Sequence, residues 1–407
     1  MNGMDSINGI VNHPVVPSRP GTVRRLGAIV SLAACRRFGC AVLLGGSVSS
    51  SFAATSVDAN FNPNVNNEVR ASAILSDGKV LIGGAFTTVG GTSQNYLARL
   101  NSDGSLDQDW NVTINGNGYV EDIYVQSNGA ILIGGSFTNV SGLTRHYVAR
   151  LVISGDDYAV DGAFSDSGLN NAVVAIGAQS FGSEIRPIVG GLFSNSGHRL
   201  LARLSSSGVI DSTFSADVAG GSVNALAVAS DNTTYLGGNF TTVTGTSRNN
   251  AGWVDTNGYQ ITGPEFTANP DGYVDSIAIF QSGEILLGGE FTTVHGSAIT
   301  NVAKVDNYGV VLDDLQKAGP NGTIQAIKVI SNKYVIGGGF NSIGNTARTN
   351  LARLNSDRTV DTAFTGVTMV GGEVQTMSLF SNGDILIGGT FTNVNGLTRN
   401  RIARIVP

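Results

Sequence analysis

One motif, repeated at near-constant spacing, narrows what this chain can fold into more than any other feature. Gly-Gly-x-Phe occurs seven times, with its first glycine at Gly83, Gly134, Gly190, Gly237, Gly288, Gly337 and Gly388. The steps between copies are 51, 56, 47, 51, 49 and 51 residues. A period of this length means one supersecondary unit copied along the chain. Aligned on the motif, each copy reads as four short strands. Strand a is of the type Val223-Asn224-Ala225-Leu226-Ala227-Val228, and strand b of the type Val80-Leu81-Ile82-Gly83-Gly84-Ala85-Phe86-Thr87. Strand c is of the type Tyr96-Leu97-Ala98-Arg99-Leu100, and strand d follows at Leu106–Trp110. Turns such as Ser76-Asp77-Gly78 and Ser102-Asp103-Gly104 separate apolar runs, and Asp-Gly pairs there are hairpin signals because they accept positive φ. Seven four-stranded antiparallel units predict an all-β fold, a seven-bladed β-propeller over residues 55–407.

Closure into a ring follows from the ends. The seventh copy stops after strand c at Ile402-Ala403-Arg404-Ile405, while Val57-Asp58-Ala59-Asn60-Phe61 is a strand d with no copy before it. The N-terminal segment is therefore expected to complete the last blade, leaving no open sheet edge at either end. The copies also expose a recurring pair. Strand c carries Arg99, Arg150, Arg203, Arg353 and Arg404, with Lys304 in repeat five. Strand d carries Asp107, Asp161, Asp211, Asp361 and Asp58, each three residues before an aromatic. Repeat five keeps Asp313 but has Gln316 at the aromatic position, and repeat four has Trp253 and Gly263 instead of either charge. Loss of both together implies an ion pair within each blade, since an unpartnered buried charge costs several kcal/mol.

Residues 1–54 have a different character. Arg24-Arg25 and Arg36-Arg37 precede the apolar runs Leu26–Ala34 and Phe38–Val48, and Ser51-Phe52-Ala53-Ala54 follows. That order is a secretory signal peptide, cleaved after Ala53 or Ala54, with a start codon downstream of Met1 as an alternative. Leu32-Ala33-Ala34-Cys35 also fits a lipobox, which would anchor Cys35 by a lipid. The apolar runs are too short for a membrane span. Both cysteines, Cys35 and Cys40, fall in this leader, so the remainder has no thiol to form a disulfide or a metal site. The leader also holds five arginines and one acid, which leaves 19 bases against 29 acids, a net of −10. Such a charge disfavours nucleic acid and anionic membrane as partners. Secretion to the cell surface of a bacterium, or to its periplasm, is the expected location.

The runs Ile131-Leu132-Ile133-Gly134-Gly135-Ser136-Phe137-Thr138-Asn139-Val140 and Ala98-Arg99-Leu100-Asn101-Ser102-Asp103-Gly104-Ser105-Leu106-Asp107 resemble the delta-60 repeat family of secreted and surface bacterial proteins. The resemblance covers nearly all of residues 55–407 and departs most at Gly252-Trp253-Val254 and Ala303-Lys304-Val305. It implies the propeller fold and an extracellular compartment, and brings no activity or cofactor with it.

Propeller geometry puts the longer b–c and d–a loops on one face, beside the start of each strand a at the channel mouth. Two candidate sets lie there. The second residue of strand a is Arg70, Glu121, Val174, Asn224, Asp275, Gln325 or Gln375, a ring with six polar members. It either binds a polar ligand such as a glycan or a peptide loop, or is a solvated rim. The b–c loops carry Arg145, Arg199, Arg248, Arg348 and Arg399, which either bind anionic sugars or cap loop carbonyls. His146, His198 and His295 sit at unlike registers, and Asn101–Gly104 lacks the alternating oxygens of a calcium loop, so no metal is expected. No nucleophile–base set converges. The expected function is a non-enzymatic extracellular binding or structural module: an adhesin, a glycan or protein binder, or a self-assembling surface subunit. The alternative is a secreted hydrolase or lyase with Glu121 and Asp275 as acid and base at the channel mouth.

Overall fold

The computed structural model describes residues 55–407 other than residues 117, 156, 196, 262–264, 313–316 and 318. The leader with Cys35 and Cys40, and the positions Gly263, Asp313 and Gln316, lie outside the described residues.

Seven antiparallel sheets stand around a central channel, each with strands a, b and c in order from the inside. The innermost strands are Val69–Ile74, Val120–Val125, Val173–Phe181, Ser222–Val228, Tyr273–Ile279, Ile324–Ile330 and Val374–Leu379. Each touches the next around the ring, and the first touches the last. Ser56–Val57 pairs with Ile405 and Val406 on the final strand, and the Asp58 N–H donates to the Arg404 carbonyl at 2.9 Å. The ring is closed by its own N-terminal strand, as the complementary ends implied. Strand d is a full strand in blade two (Asp157–Val160) and in this closing blade. In blades one, three, five and six it narrows to one bridge: Leu100 to Leu106, Leu204 to Ile210, Val305 to Val311 and Leu354 to Val360.

Strand b is buried on both of its faces, as a sheet packed between two others requires. The seven motif phenylalanines are sealed in the core, from Phe86 and Phe137 at 0% exposure to Phe291 and Phe340 at 2%. Each such side chain contributes about 1.5–3 kcal/mol by leaving water. The two motif glycines have separate jobs. A Cβ on the first would meet strand a of the next blade: at Gly134 it would lie 2.7 Å from Val173 Cγ1, at Gly337 2.6 Å from Val374 Cγ1. Gly388 makes the same approach to Val69, so the seam between blades seven and one is packed like the other six. A Cβ on the second glycine would strike a backbone carbonyl of its own blade, Tyr119 O at Gly135 and Thr323 O at Gly338.

That crowding has a cause in the pairing. Every strand a has one extra residue opposite the glycine pair: the register passes from Val69–Gly84 to Ala71–Gly83, and likewise in the other six blades. The extra residue makes a β-bulge, which bends strand a toward strand b and leaves space only for glycine.

The strand-c arginines pair as expected in four blades: Arg99–Asp107 at 2.6 Å, Arg150–Asp161 at 2.6 Å, Arg203–Asp211 at 2.8 Å and Arg353–Asp361 at 2.7 Å. Each guanidinium also lies over the strand-d aromatic, 4.8 Å from the Trp110 centroid and 5.0 Å from that of Phe214. In blade seven Arg404 leans instead to Asp384 at 2.7 Å, with Asp58 at 3.9 Å. The arginines reach further than a within-blade pair. Arg150 and Arg203 donate to carbonyls of the next blade, Ser206 O at 2.6 Å and Thr256 O at 2.5 Å, and Arg99 bonds Asp157 of blade two. They fasten blade to blade.

The b–c connections are not plain loops. On the wide face they fold into two-residue hairpins such as Thr88–Val89 with Thr92–Ser93. Their tips are positive-φ pairs, Gly90-Gly91, Ser141-Gly142 and Thr244-Gly245 among them. Three of these hairpins gain a third strand from the d–a segment, for example Ile114–Asn115.

Candidate functional site

The bulge decides what faces the channel. Its extra residue in each blade is Arg70, Glu121, Val174, Asn224, Asp275, Gln325 or Gln375, the ring singled out from the sequence. All seven line a channel of about 840 Å³. An unbulged strand would send successive side chains alternately to the two neighbouring blades. The bulge re-aims one residue per blade toward the lumen.

These side chains hold one another across blade boundaries. Arg70 bonds Glu68 at 2.6 Å and also Glu121, and stacks 4.8 Å from the Tyr119 centroid. Gln375 donates to Glu68 at 3.4 Å, Gln325 to Glu373 at 2.9 Å, and Asn224 to Asp275 at 2.9 Å. Exposed Tyr119 and Tyr273, each one residue before a blade's first paired valine, flank the mouth in blades two and five.

The carboxyls respond unequally. Burial works to raise Glu68, but hydrogen bonds and attraction from Arg70 prevail and hold it below its ordinary value. For Glu121 burial prevails over the same arginine and the carboxyl is raised. Burial also raises Asp275; the Asn224 bond opposes it, and the charges of Glu290 and Glu373 add to it. Glu121 and Asp275 therefore share a direction, yet they belong to separate clusters in blades two and five and have no common hydrogen-bond partner among the described residues.

Two lumen residues escaped the sequence reading. Asp122 follows the bulge in blade two and accepts the backbone N–H of Ile176, in the next blade, at 2.7 Å and of Ile123 at 2.8 Å. Burial nevertheless pushes its carboxyl up to about 6. Lys328 in blade six projects into the open lumen, but the surrounding wall pulls its ammonium below the usual lysine value, against the opposing charge of Asp122. A signal existed. The position of Asp122 is alanine in four repeats (Ala71, Ala175, Ala225, Ala326), and that of Lys328 is small in five (Ala73, Gly177, Ala227, Ala278, Ser378). A charge at a small-residue register is a departure that the repeat alignment itself exposes.

The loop arginines face inward. Arg145, Arg248, Arg348 and Arg399 each donate to the carbonyl of the preceding residue at 2.8 Å. Arg145 also reaches Asp161 O at 3.0 Å, Arg399 reaches Asp58 O at 3.0 Å and Ala59 O at 2.9 Å, and Arg248 pairs with Glu265 at 2.9 Å. Arg348 is half-buried, and Arg199 is exposed and pairs with Asp217. These bonds tie them to the scaffold, while the Nε of Arg145, Arg248, Arg348 and Arg399 is buried without a hydrogen bond. His146 bonds Asp166 at 2.6 Å and His295 bonds Thr267 O at 2.7 Å, so neither is directed at a shared centre. Among the described residues no three His, Cys, Asp or Glu side chains are placed to share a metal, and no helix is long and apolar enough to cross a membrane.

Five segments match a domain of unknown function, the DUF5122 beta-propeller: residues 75–109, 126–151, 185–214, 331–364 and 381–407. A comparison with curated proteins finds no match. Among solved structures, YCF48 bound to D1 peptide is 11% identical, with 85% of this chain and 94% of that one covered and a TM-score of 0.52. The WD40 beta propeller domain of Doa1 is 15% identical over 86% and 96%, with a TM-score of 0.49. Virginiamycin B lyase from Staphylococcus aureus with Quinupristin is 12% identical over 87% and 99%, with a TM-score of 0.40. At such identities the likeness concerns the fold alone. The chain is an all-β propeller, five of whose blades contain segments that match the DUF5122 beta-propeller model.

Proposed function

We propose that this protein is a secreted or cell-surface bacterial propeller of the delta-60 repeat kind, and that it works as a non-enzymatic binding module. Its ligand is a polar one, a glycan or a peptide loop, taken at the wide-face mouth of the channel. The observation that carries this reading is the ring of seven bulges, which turns one side chain per blade to a common mouth and fixes the polar ones through neighbouring blades. Side chains already held in one orientation lose little entropy when a ligand arrives. Amides and carboxylates offer donors and acceptors for hydroxyl or peptide groups, and exposed Tyr119 and Tyr273 offer flat apolar faces beside them. A glycan array and a pull-down from extracellular material test this. Binding is expected to fall about tenfold or more in Asn224→Ala with Gln325→Ala, and absence of any ligand in both assays removes the reading. The role of an adhesin and that of a self-assembling surface subunit are separated by light scattering of the purified protein.

An alternative is a secreted hydrolase or lyase using Glu121 and Asp275, favoured by the burial that raises both carboxyls. Unchanged turnover of a discovered substrate in the Glu121→Gln, Asp275→Asn double variant would dispose of it.

A further inference from the structure

The channel changes character along its length. Strand a rises about 3.3 Å per residue, so a position three past the bulge lies about 10 Å deeper. The wide end is lined by Glu68, Arg70, Glu121 and Asp275, all engaged with neighbours. Asp122 comes one residue further in. Beyond it the lining is apolar or small, and among the described residues Lys328 carries the only charge. Ile277 and Ile279 of blade five, next around the ring to the lysine in blade six, and Leu226 and Val228 of blade four beyond them remain half exposed along this lumen.

Lys328 makes no hydrogen bond or ion pair among the described residues. The charge acting on it is that of Asp122, on the far side of the ring, whose oxygens already accept two backbone N–H groups. An ammonium open to the lumen, bonded to no described group and set beside half-exposed hydrocarbon, presents a surface complementary to an amphipathic anion.

We propose that the inner half of the channel, away from the wide mouth, is a site for an amphipathic organic carboxylate. The carboxylate meets the Lys328 ammonium, and the apolar body lies against Leu226, Val228, Ile277 and Ile279. The site stands apart from the wide-mouth ring and does not depend on the reading given for it. Charge pairing with the ammonium supplies the orientation, and apolar burial supplies about 25 cal/mol per Å² of covered surface. Asp122 competes with the ligand for the lysine. Its carboxyl, raised to about 6, is ionised at neutral pH and neutral well below 6, so ligand affinity should increase on acidification through that value. The other titratable groups lining the lumen are Tyr124, at the same depth as Lys328, and Glu68, Arg70, Glu121 and Asp275 at the wide end.

Calorimetric titration of the full chain with octanoate, octanol and inorganic phosphate is the test. Octanoate is expected to bind, with octanol and phosphate each at least about tenfold weaker. Lys328→Met should lower octanoate affinity about tenfold or more with no change toward octanol, while Lys328→Arg retains it. Asp122→Asn should tighten octanoate at neutral pH and flatten its pH dependence, and Asn224→Ala at the wide mouth should leave it unchanged. Thermal unfolding of each variant establishes that the ring is intact. No octanoate binding by the wild-type chain, equal binding of octanol or phosphate, or full affinity in a folded Lys328→Met protein would overturn the proposal.

Discussion

Seven residues at one register of the repeat share a backbone conformation that L side chains resist. Tyr96, Tyr147, Leu200, Asn250, Asn301, Asn350 and Arg401, each just before or within the start of strand c, have φ between 61° and 68°. The cause lies in their backbone bonds: the Asn350 N–H donates to Phe340 O at 2.8 Å and its carbonyl accepts from Gly338 at 3.1 Å, with the same pair of bonds around Tyr147 and Asn250. Asparagine tolerates this region, and Asn350 adds a side-chain bond to Gly372 O at 2.6 Å. Asn350→Ala is expected to cost about 1–3 kcal/mol, from the lost bond and the strain together. Asn350→Gly should cost less, because glycine removes the strain; denaturant unfolding that ranks glycine below alanine would refute this account. The motif glycines give a second ordering. Gly134→Ala presses on side chains that can shift, for about 1–3 kcal/mol. Gly135→Ala presses on the Tyr119 carbonyl, which the ladder holds, so it should be the more damaging of the two in the same measurement.

At the scale of the strand, the blades are fastened by the arginine of strand c more than by strand d. Arg203, 2% exposed, is bound to Asp211 and to Gln179 in its own blade and to Thr256 O in the next. Asp211→Ala leaves that guanidinium without its counter-ion and should cost about 3–5 kcal/mol. The Arg203→Met, Asp211→Ala pair should cost less than the sum of the single changes, because blade four works with Trp253 in the arginine's place, packed on Tyr235 and Phe266. A double-mutant cycle in urea measures the difference, and additivity would show that the two residues are not coupled. The same pairs set the acid limit. Burial raises Asp107, Asp161, Asp211 and Asp361, but donors around them prevail and hold all four below the ordinary value of 3.8. Their folded values lie below the unfolded one, so their contribution is complete above pH 3.8 and is lost as pH falls beneath it. The midpoint of thermal unfolding should therefore begin to drop below that pH, and the Arg203→Met, Asp211→Ala protein should drop less.

For the whole molecule, the closing contact is between the two ends of the repeat array. Phe61 is fully buried, and Arg399 donates to the carbonyls of Asp58 and Ala59. Removing the segment through Phe61 would leave Ile402–Val406 as an unpaired edge, an invitation to pair with other chains. Such a truncation is expected to lower the unfolding midpoint and to raise light scattering; a monomer of unchanged midpoint would mean the ring does not need this clasp. Much of this was readable beforehand. The seven Gly-Gly-x-Phe copies, the complementary ends and the shared loss of Arg and Asp in repeat four led to the blade count, the closure and the ion pairs. The channel ring was legible as a register of seven residues, because a repeat serves as its own alignment. The bulge that aims those residues, the b–c hairpins, the reach of Arg203 into the next blade and the convergence of Asp122 and Lys328 were not.

The sequence by itself determined the fold unit and its copy number, since strand periods, turn pairs and glycine positions are encoded within about fifty residues and act locally. Only the tertiary structure decided what meets inside the channel. Asp122 and Lys328 are 206 residues apart and face each other because seven blade interfaces sum to one closed turn, and no single repeat contains the angle at which it packs on its neighbour.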